Sequence, residues 1–270
     1  MATAPASIRS AKIPVRKIRT ADLSASLKAG WDDFMAMRGD LIFLGLLYPL
    51  IGFAAAVFTL NGPLLPFFFP VVAGVGLLGP VAAVGFYELA RRREDGLESD
   101  WSHFLDVRKR PGADDIGIVA GLLLAIFALW IVTAGALYIA LFGWTTPGSI
   151  PGFVTEVFNT PRGWALIVIG GLVGVAFAWV VLALSVVSLP LLVDRDVGAA
   201  DAVAASWRAA NANKPEMMRW GLTVTVLLAI GSIPLFLGLA VVLPWLGYAT
   251  WHLYTRLVDR DAIRTGRRRA

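Results

Sequence analysis

The chain has 270 residues, of which 57% are apolar and only 16% carry a charge, with a mean hydropathy of +0.71. Soluble domains have about 25% charged residues, so this composition favours a membrane protein. The absence of cysteine excludes disulfides and thiolate metal sites, and two histidines argue against most metal and haem sites. The net charge of +5 would suit nucleic acid, but the positions of the basic residues indicate membrane topology instead, so we expect no nucleic-acid partner.

The first part of the chain is basic. Residues 1–19 contain five basic residues and no acidic one. They include no apolar stretch of signal-peptide length, so we predict a flexible arm near anionic lipid, with an organellar transit peptide as the alternative. After this arm, apolar residues recur every three or four positions, which predicts a short amphipathic helix at the membrane surface. These residues are Leu23, Leu27, Trp31 and Phe34.

Long apolar stretches then alternate with charged segments. A helix needs about 20 apolar residues to cross the hydrocarbon core. The clearest candidate is 164–193, thirty residues without a charge, and residues 41–87 hold 47 uncharged residues, enough for two spans with a turn near Gly62. The predicted spans are 41–60, 65–90, 116–142, 164–193 and two short ones between Arg219 and Arg256 that meet between Ser232 and Ala240.

The basic residues set the orientation of these spans. Of 24 Lys and Arg residues, all but Arg162 lie in four segments: before residue 41, in 91–110, in 195–219 and from 256 onward. The positive-inside rule assigns these four segments to the cytoplasm. Because residues 219 and 256 then lie on the same side, the stretch between them must cross twice. The sequence therefore predicts six transmembrane helices with both termini cytoplasmic.

An aromatic pattern precedes each pair of spans. It reads Leu27-x3-Trp31-x2-Phe34, Leu97-x3-Trp101-x2-Phe104 and Val203-x3-Trp207-x2-Ala210. The pattern predicts an all-α protein of three repeated units, each a cytoplasmic amphipathic helix plus a transmembrane hairpin, over about 20–93, 94–196 and 197–258. The alternative is that these tryptophans are ordinary interfacial anchors. The predicted division is a flexible basic arm (1–19), a six-span membrane domain (20–258) and a basic tail (259–270).

Few residues offer chemistry. The interiors of the predicted spans hold no Asp, Glu, Lys or Arg, which argues against a pump or proton-coupled transporter, and Glu88 is interpreted as an interfacial acid paired with Arg91 and Arg92. The motifs HExxH, GxSxG, P-loop and CxxC are absent. We therefore expect no enzymatic activity, no catalytic residue, no metal and no cofactor. His252 is a candidate haem or copper ligand, but an interfacial aromatic cluster is the favoured interpretation.

Prolines and glycines mark special positions in the spans. Five prolines lie within or at the ends of spans: Pro49, Pro80, Pro190, Pro234 and Pro244. Such helix breaks bind substrate in transporters or only shape packing, and packing is favoured here. The pairs Gly117-x3-Gly121 and Gly170-x3-Gly174 allow close approach of helices, each to a different neighbour or another subunit.

Several stretches resemble a known family. They are Ser185–Asp196, Ala202–Trp207, Asn211–Met217, Leu243–Tyr254 and Asp22–Asp40. Over about residues 20–258 the chain is similar to an uncharacterised bacterial family of integral membrane proteins, the domain of unknown function 2189, whose members are sometimes labelled as associated with cytochrome c oxidase subunit I. The resemblance implies a bacterial inner-membrane location and no catalytic residue. It also implies structural roles for Ser188, Pro190 and Asp194, with Pro190 shaping the helix end and Asp194 marking the exit into the cytoplasm.

These observations lead to one functional expectation and two alternatives. We expect a scaffold or accessory partner of membrane complexes, respiratory oxidase among them, surrounded by lipid and either bound to another membrane protein or homo-oligomeric. The alternatives are a transporter or channel for a neutral or apolar solute, based on the prolines, and a haem or metal protein using His252. The candidate packing or partner positions are Trp31, Trp101, Trp207, Ser188, Pro190, Asp194, Pro244 and His252.

Overall fold

A computed structural model describes residues 13–45, 47–60, 62–110 and 112–263, and this part of the chain is helical apart from one isolated β-bridge. The all-α prediction is confirmed. The α-helices of these residues are α1 (Thr20–Gly45), α2 (Leu47–Leu60), α3 (Phe68–Leu77), α4 (Gly79–Ala82), α5 (Val84–Glu94), α6 (Ala113–Phe142), α7 (Ile150–Asn159), α8 (Pro161–Ser185), α9 (Ser188–Asp194), α10 (Ala199–Ala212), α11 (Lys214–Ser232) and α12 (Leu239–Leu257).

Two helical stretches of the described chain are long and apolar enough to cross a membrane. They are Ala113–Phe142 and Pro161–Asp194, with 30 and 34 residues and a mean hydropathy of 2.6 each. At about 1.5 Å per residue, 30 residues extend roughly 45 Å, more than the hydrocarbon thickness. Only 22% and 6% of their most apolar windows are buried inside the protein. The core helix of a soluble protein would be buried, so these helices present surfaces for lipid.

Large apolar side chains also cover the outer faces of shorter helices. Phe58 on α2 and Phe69 on α3 are 68% and 73% exposed, and α11 exposes Leu222 and Ile230. Soluble monomers rarely expose contiguous apolar surface of this extent. The outer surface of the bundle therefore fits a bilayer better than water.

Helices occupy all six predicted spans, but their form differs in three places. The amphipathic helix predicted from Asp22 continues into the first span within α1. The second span is divided into α3, α4 and α5. The fourth is interrupted between Ser185 and Ser188. Pro80 and Pro190 explain the last two breaks, because a proline ring clashes with the carbonyl four residues before it. Among the described residues, only the third and fourth spans form helical stretches long and apolar enough to cross a membrane, so the six-span architecture stays a prediction.

Two local predictions were wrong. The spacing of Leu97, Trp101 and Phe104 predicted an amphipathic α-helix, but the segment forms two 3₁₀ turns, Trp101–His103 and Asp106–Lys109. The Asp100 carboxylate caps the first turn by accepting a hydrogen bond from Ser102 N, 2.8 Å away. The region 143–163, which the predicted spans 116–142 and 164–193 leave between them as a loop, contains α7, which begins after the N-cap Ser149. The second repeat unit thus lacks the helix of the other two.

The main core lies near one end of the bundle. It joins α5, α9, α10 and the second half of α12, and its fully buried side chains include Leu189, Tyr248 and Trp251. Helix α1 packs antiparallel along α12 so closely that a Cβ on Gly30 would lie 2.4 Å from Ala249 N. A smaller apolar cluster at the other end contains Phe142 and Phe153.

The described part of the predicted basic arm packs against the helices. Of residues 1–19, those before Ile13 lie outside the described chain, and residues 13–19 form no helix. Val15 forms the β-bridge with Val258, and Ile13 and Ile18 are buried. Asn213, between α10 and α11, holds the segment through its side chain, accepting from Ile18 N at 2.9 Å and donating to Arg16 O at 3.1 Å.

Candidate functional site

Charged side chains gather at one end of the bundle, which we call the polar end and define by residues 88–95, 106–110, 194–195 and 252–260. Ion pairs join segments that are far apart in the chain. Arg93 Nε lies 2.8 Å from an Asp33 carboxylate oxygen, and Arg256 pairs with Asp22 at 3.3 Å. The Asp115 carboxylate accepts from Ala199 N at 2.7 Å. Members of all four basic segments, as far as the structure describes them, therefore meet at the same end of the bundle.

Asp194 is the best-connected carboxylate of the polar end. It is buried at the end of α9 and accepts hydrogen bonds from Arg260 at 2.8 and 3.1 Å, from Arg195 at 2.7 Å and from the Tyr254 hydroxyl at 2.8 Å. Arg260 also bonds Glu94 and lies over the Trp251 ring. Burial alone would lower the pKa of Arg260, but the hydrogen bonds and attraction of Asp194 and Glu94 outweigh it and raise that pKa.

Glu88, inside α5, forms a second buried ion-pair cluster. Arg91 donates to both of its carboxylate oxygens, at 2.7 and 3.1 Å, and Arg110 lies 3.6 Å from one of them. The hydrogen bond to Glu88 raises the pKa of Arg91, whereas burial lowers the pKa of Arg110. The predicted pairing of Glu88 with Arg91 is confirmed. Because each buried carboxylate faces arginines from other parts of the chain, both clusters hold separate segments together.

A polar cavity of about 400 Å³ opens beside Asp194. Three arginines and three carboxylates line it, together with Thr255 and Val258: Arg16, Arg195, Arg260, Glu94, Asp95 and Asp261. Within the described chain, Arg195 Nε is buried without a hydrogen-bond partner, while its Nη1 bonds Asp194. The charges of the lining balance, so the cavity selects neither an anion nor a cation by net charge.

An apolar cavity of about 210 Å³ lies between α2, α3, α4, α11 and α12, farther from the polar end. It is located where helices break: Leu78 separates α3 from α4, and a turn with left-handed backbone at Leu235 and Phe236 joins α11 to α12. Its lining is Ile51, Gly52, Val72, Gly76, Leu78, Gly79, Ala82, Leu228, Ser232, Phe236, Leu239 and Leu243.

Three candidate positions of the sequence lie together at the polar end. Ser188 and Pro190 are buried in α9, which ends at Asp194. The break before α9 leaves Val187 N without a helical partner, and it donates instead to the Ser206 hydroxyl of α10 at 3.1 Å. Ser206 is a buried residue that sequence reasoning missed, because only the three-dimensional contact identifies it.

The other candidate positions are spread over the bundle. Trp31, Trp101 and Trp207 remain 38%, 58% and 44% exposed, and Trp31 packs edge-on against Trp245. Pro244 lies inside α12, next to a residue that lines the apolar cavity. His252 Nε2 lies 2.7 Å from an Asp33 carboxylate oxygen. No group of three or more metal-ligating side chains occurs among the described residues.

Lipid-facing helices closed at one end by buried ion pairs define a helical integral membrane protein. Residues 68–194, just under half of the chain, match the family described as predicted integral membrane protein (DUF2189). The resemblance is thereby confirmed over these residues, which include both long apolar helices and Asp194. Searches of curated proteins and of solved structures give no match.

Proposed function

We propose that this chain is a six-span protein of a bacterial inner membrane, with both termini cytoplasmic, and that it acts without enzymatic activity as a scaffold or accessory partner of membrane complexes. Respiratory complexes are one such class. The observation that carries the proposal is an open, small-residue face on α6. A Cβ placed on Gly117 or Gly121 would meet nothing within 4 Å.

This open face suits helix packing. In lipid, apolar side chains gain little by leaving their solvent, so helices associate where small residues let backbones come close. Gly117, Gly121, Ala125 and Ala128 are exposed at spacings of three and four, which places them on one side of α6. A helix of another membrane protein, or of a second copy of this chain, would fit along this side.

Two further features support the proposed topology. In the described chain, members of all four basic segments line or contact the polar end, as expected if each segment lies on the cytoplasmic side. Helices α11 and α12 turn within residues 232–240, where the charge pattern requires a hairpin. A cytoplasmic fluorescent reporter fused after residue 270 should fluoresce, whereas alkaline phosphatase activity from the same position would contradict an even number of spans.

The partner proposal is tested by purification in mild detergent. The wild-type protein should be recovered with a fixed ratio of a second membrane protein or as a defined oligomer, and Gly121→Leu should abolish this association. Leu172→Phe is the matched control, because it changes a lipid-exposed residue of α8 and should leave the association intact. Recovery of wild-type monomer alone, or equal association in both variants, would contradict the scaffold role.

Transport of a neutral or apolar solute is the second candidate, favoured by the apolar cavity at the helix breaks. Transporter sites lie where discontinuous helices meet inside the membrane. Proteoliposomes should then take up such a solute, and Pro244→Ala should slow the uptake by straightening α12 beside the cavity. Unchanged uptake would remove this support.

A further inference from the structure

We propose that the apolar cavity binds the end of a lipid acyl chain. The inference is independent of transport, but it rests on the proposed position of α11 and α12 in the bilayer. The first argument is the depth of the site. Nine residues separate Gly79, in its wall, from Glu88 at the polar end. At about 1.5 Å per helical residue, this distance is roughly 14 Å, which reaches the hydrocarbon region.

The lining of the cavity offers too few polar partners for an ordered water. Ser232 supplies its one side-chain hydroxyl, and this hydroxyl already donates to Leu228 O at 2.8 Å. An ordered water needs two to four polar partners, and apolar cavities of about 150 Å³ stay dry yet accept benzene. A cavity of about 210 Å³ therefore has room for a short hydrocarbon segment. An empty space of this size is costly, because the side chains around it lose dispersion contacts.

Three glycines and a strained turn form this space. Gly52, Gly76 and Gly79 contribute no side chains to the wall, and a Cβ on Gly79 would meet nothing within 4 Å. The φ angles of Leu235 and Phe236 are 51° and 66°, a left-handed conformation that is rare for bulky residues. This turn directs the Phe236 ring to 3.0 Å from a Cβ on Gly52 and so closes one end of the cavity. Strain of this kind is found at ligand sites.

The entrance to the cavity identifies the occupant. Ile51 lines the cavity and is also 45% exposed on the outer apolar surface, so the space communicates with that surface. Ile233 and Leu235 beside it are more exposed still. In a bilayer this surface touches acyl chains, which are the solvent there and far outnumber any free hydrocarbon. An acyl-chain end is therefore the occupant that mass action favours.

The test is photolabelling of the full chain in nanodiscs, followed by mass spectrometry of peptides. The probe is a phospholipid with a diazirine at the end of one acyl chain, and a small free aryl diazirine is the comparison. We expect the lipid probe to label the cavity peptides around Gly52 and Leu228. Gly76→Leu should remove the label from the cavity residue Leu228 but leave it on the outward residues Val226 and Ile230, since its side chain fills the cavity and the nearest atom to a Cβ there is 3.6 Å away.

Matched variants separate the cavity from the general lipid surface. Gly171→Leu on α8 adds the same side chain where a Cβ meets nothing, and it should leave cavity labelling unchanged. If Gly76→Leu does not fold, Ile51→Phe narrows the entrance from its exposed rim and should also reduce the labelling. Equal labelling of wild-type and filled protein, or labelling by the free diazirine alone, would overturn the inference. Absence of lipid label on the outward residues Val226 and Ile230 would instead overturn the membrane position of α11.

Discussion

The polar end and the outer half of α6 and α8 differ in what surrounds their side chains: protein at the first, lipid at the second. At the polar end, Asp194 and Glu88 are held by arginines, and in the main core beside it Leu189, Val193 and Ala202 are fully buried. In the most apolar window of Pro161–Asp194, by contrast, only 6% is buried within the protein. The polar end is organised as a water-soluble core is, and the outer half depends on lipid for its packing. The same kind of substitution should therefore have different consequences in the two regions.

The largest difference is expected from the removal of a carboxylate. Asp194→Ala leaves Arg260 and Arg195 without their buried partner, and breaking a buried pair costs about 3–5 kcal/mol. Glu156→Ala at the other end removes the exposed pair with Arg162, which should cost at most about 1 kcal/mol. The free energy of unfolding in micelles measures both. Similar losses would show that the two ends are equally dependent on ion pairs.

A glycine-to-alanine comparison should change sign between the regions. At Gly30 a methyl group would lie 2.4 Å from the α12 backbone, so Gly30→Ala should destabilise by about 1–3 kcal/mol through overpacking. At Gly171 the methyl group meets nothing, so Gly171→Ala should stabilise by up to about 1 kcal/mol through helix propensity. The free energy of unfolding in micelles measures both changes. Destabilisation by both would mean that α8 is packed against an unseen neighbour.

The helix break before α9 should make one hydroxyl important. Ser206→Ala leaves the buried Val187 N–H unpaired, at a cost of about 1–2 kcal/mol. Thr133→Ala on α6 removes a hydroxyl that only bonds Leu129 O within its own helix, so the change should stay within about 0.5 kcal/mol. Faster amide exchange at Val187 in Ser206→Ala would locate the effect, and unchanged exchange would contradict it.

The smallest effect is expected from acid at the surface of the polar end. Hydrogen bonds from Lys109 and then His103 lower the pKa of Asp106 from 3.8 to about 2. The carboxylate therefore contributes stability above pH 3.8 and loses it as the pH falls towards 2. Asp106→Asn should lose less stability than wild type across that window. Parallel acid profiles of the two proteins would contradict this role.

The sequence predicts local features of both regions better than it predicts their contacts. The uncharged run after Trp164 indicates α8, and the spacing of Glu88 and Arg91 indicates their pairing, because both depend on neighbours in the chain. The partner of Asp194 is different. Arg260 lies 66 residues away, and no periodicity connects the two. The charge of Arg260 indicates only the side of the membrane on which it lies. Its contact with Asp194 depends on how α9 packs against α12.

Helix breaks were only partly visible. Pro190 indicates the helix break that lies up to four residues before it in the chain. The sequence does not indicate that the Ser206 hydroxyl of α10 accepts the hydrogen bond from the freed Val187 N–H. The 3₁₀ turn at Trp101 was missed because a 3.6-residue spacing over eight residues is also compatible with a capped turn at Asp100. The apolar cavity was missed because glycines leave a space only where the helices around them do not close it.

The bridge between Val15 and Val258 has a consequence for the order of synthesis. Val15 can form the bridge only after Val258 has been translated, more than two hundred residues later, and Asp194 can bind Arg260 only after that residue has been translated. Until Arg260 is translated, Asp194 has Arg195 but lacks its second arginine partner. The polar end can therefore close completely only after Arg260 has been translated.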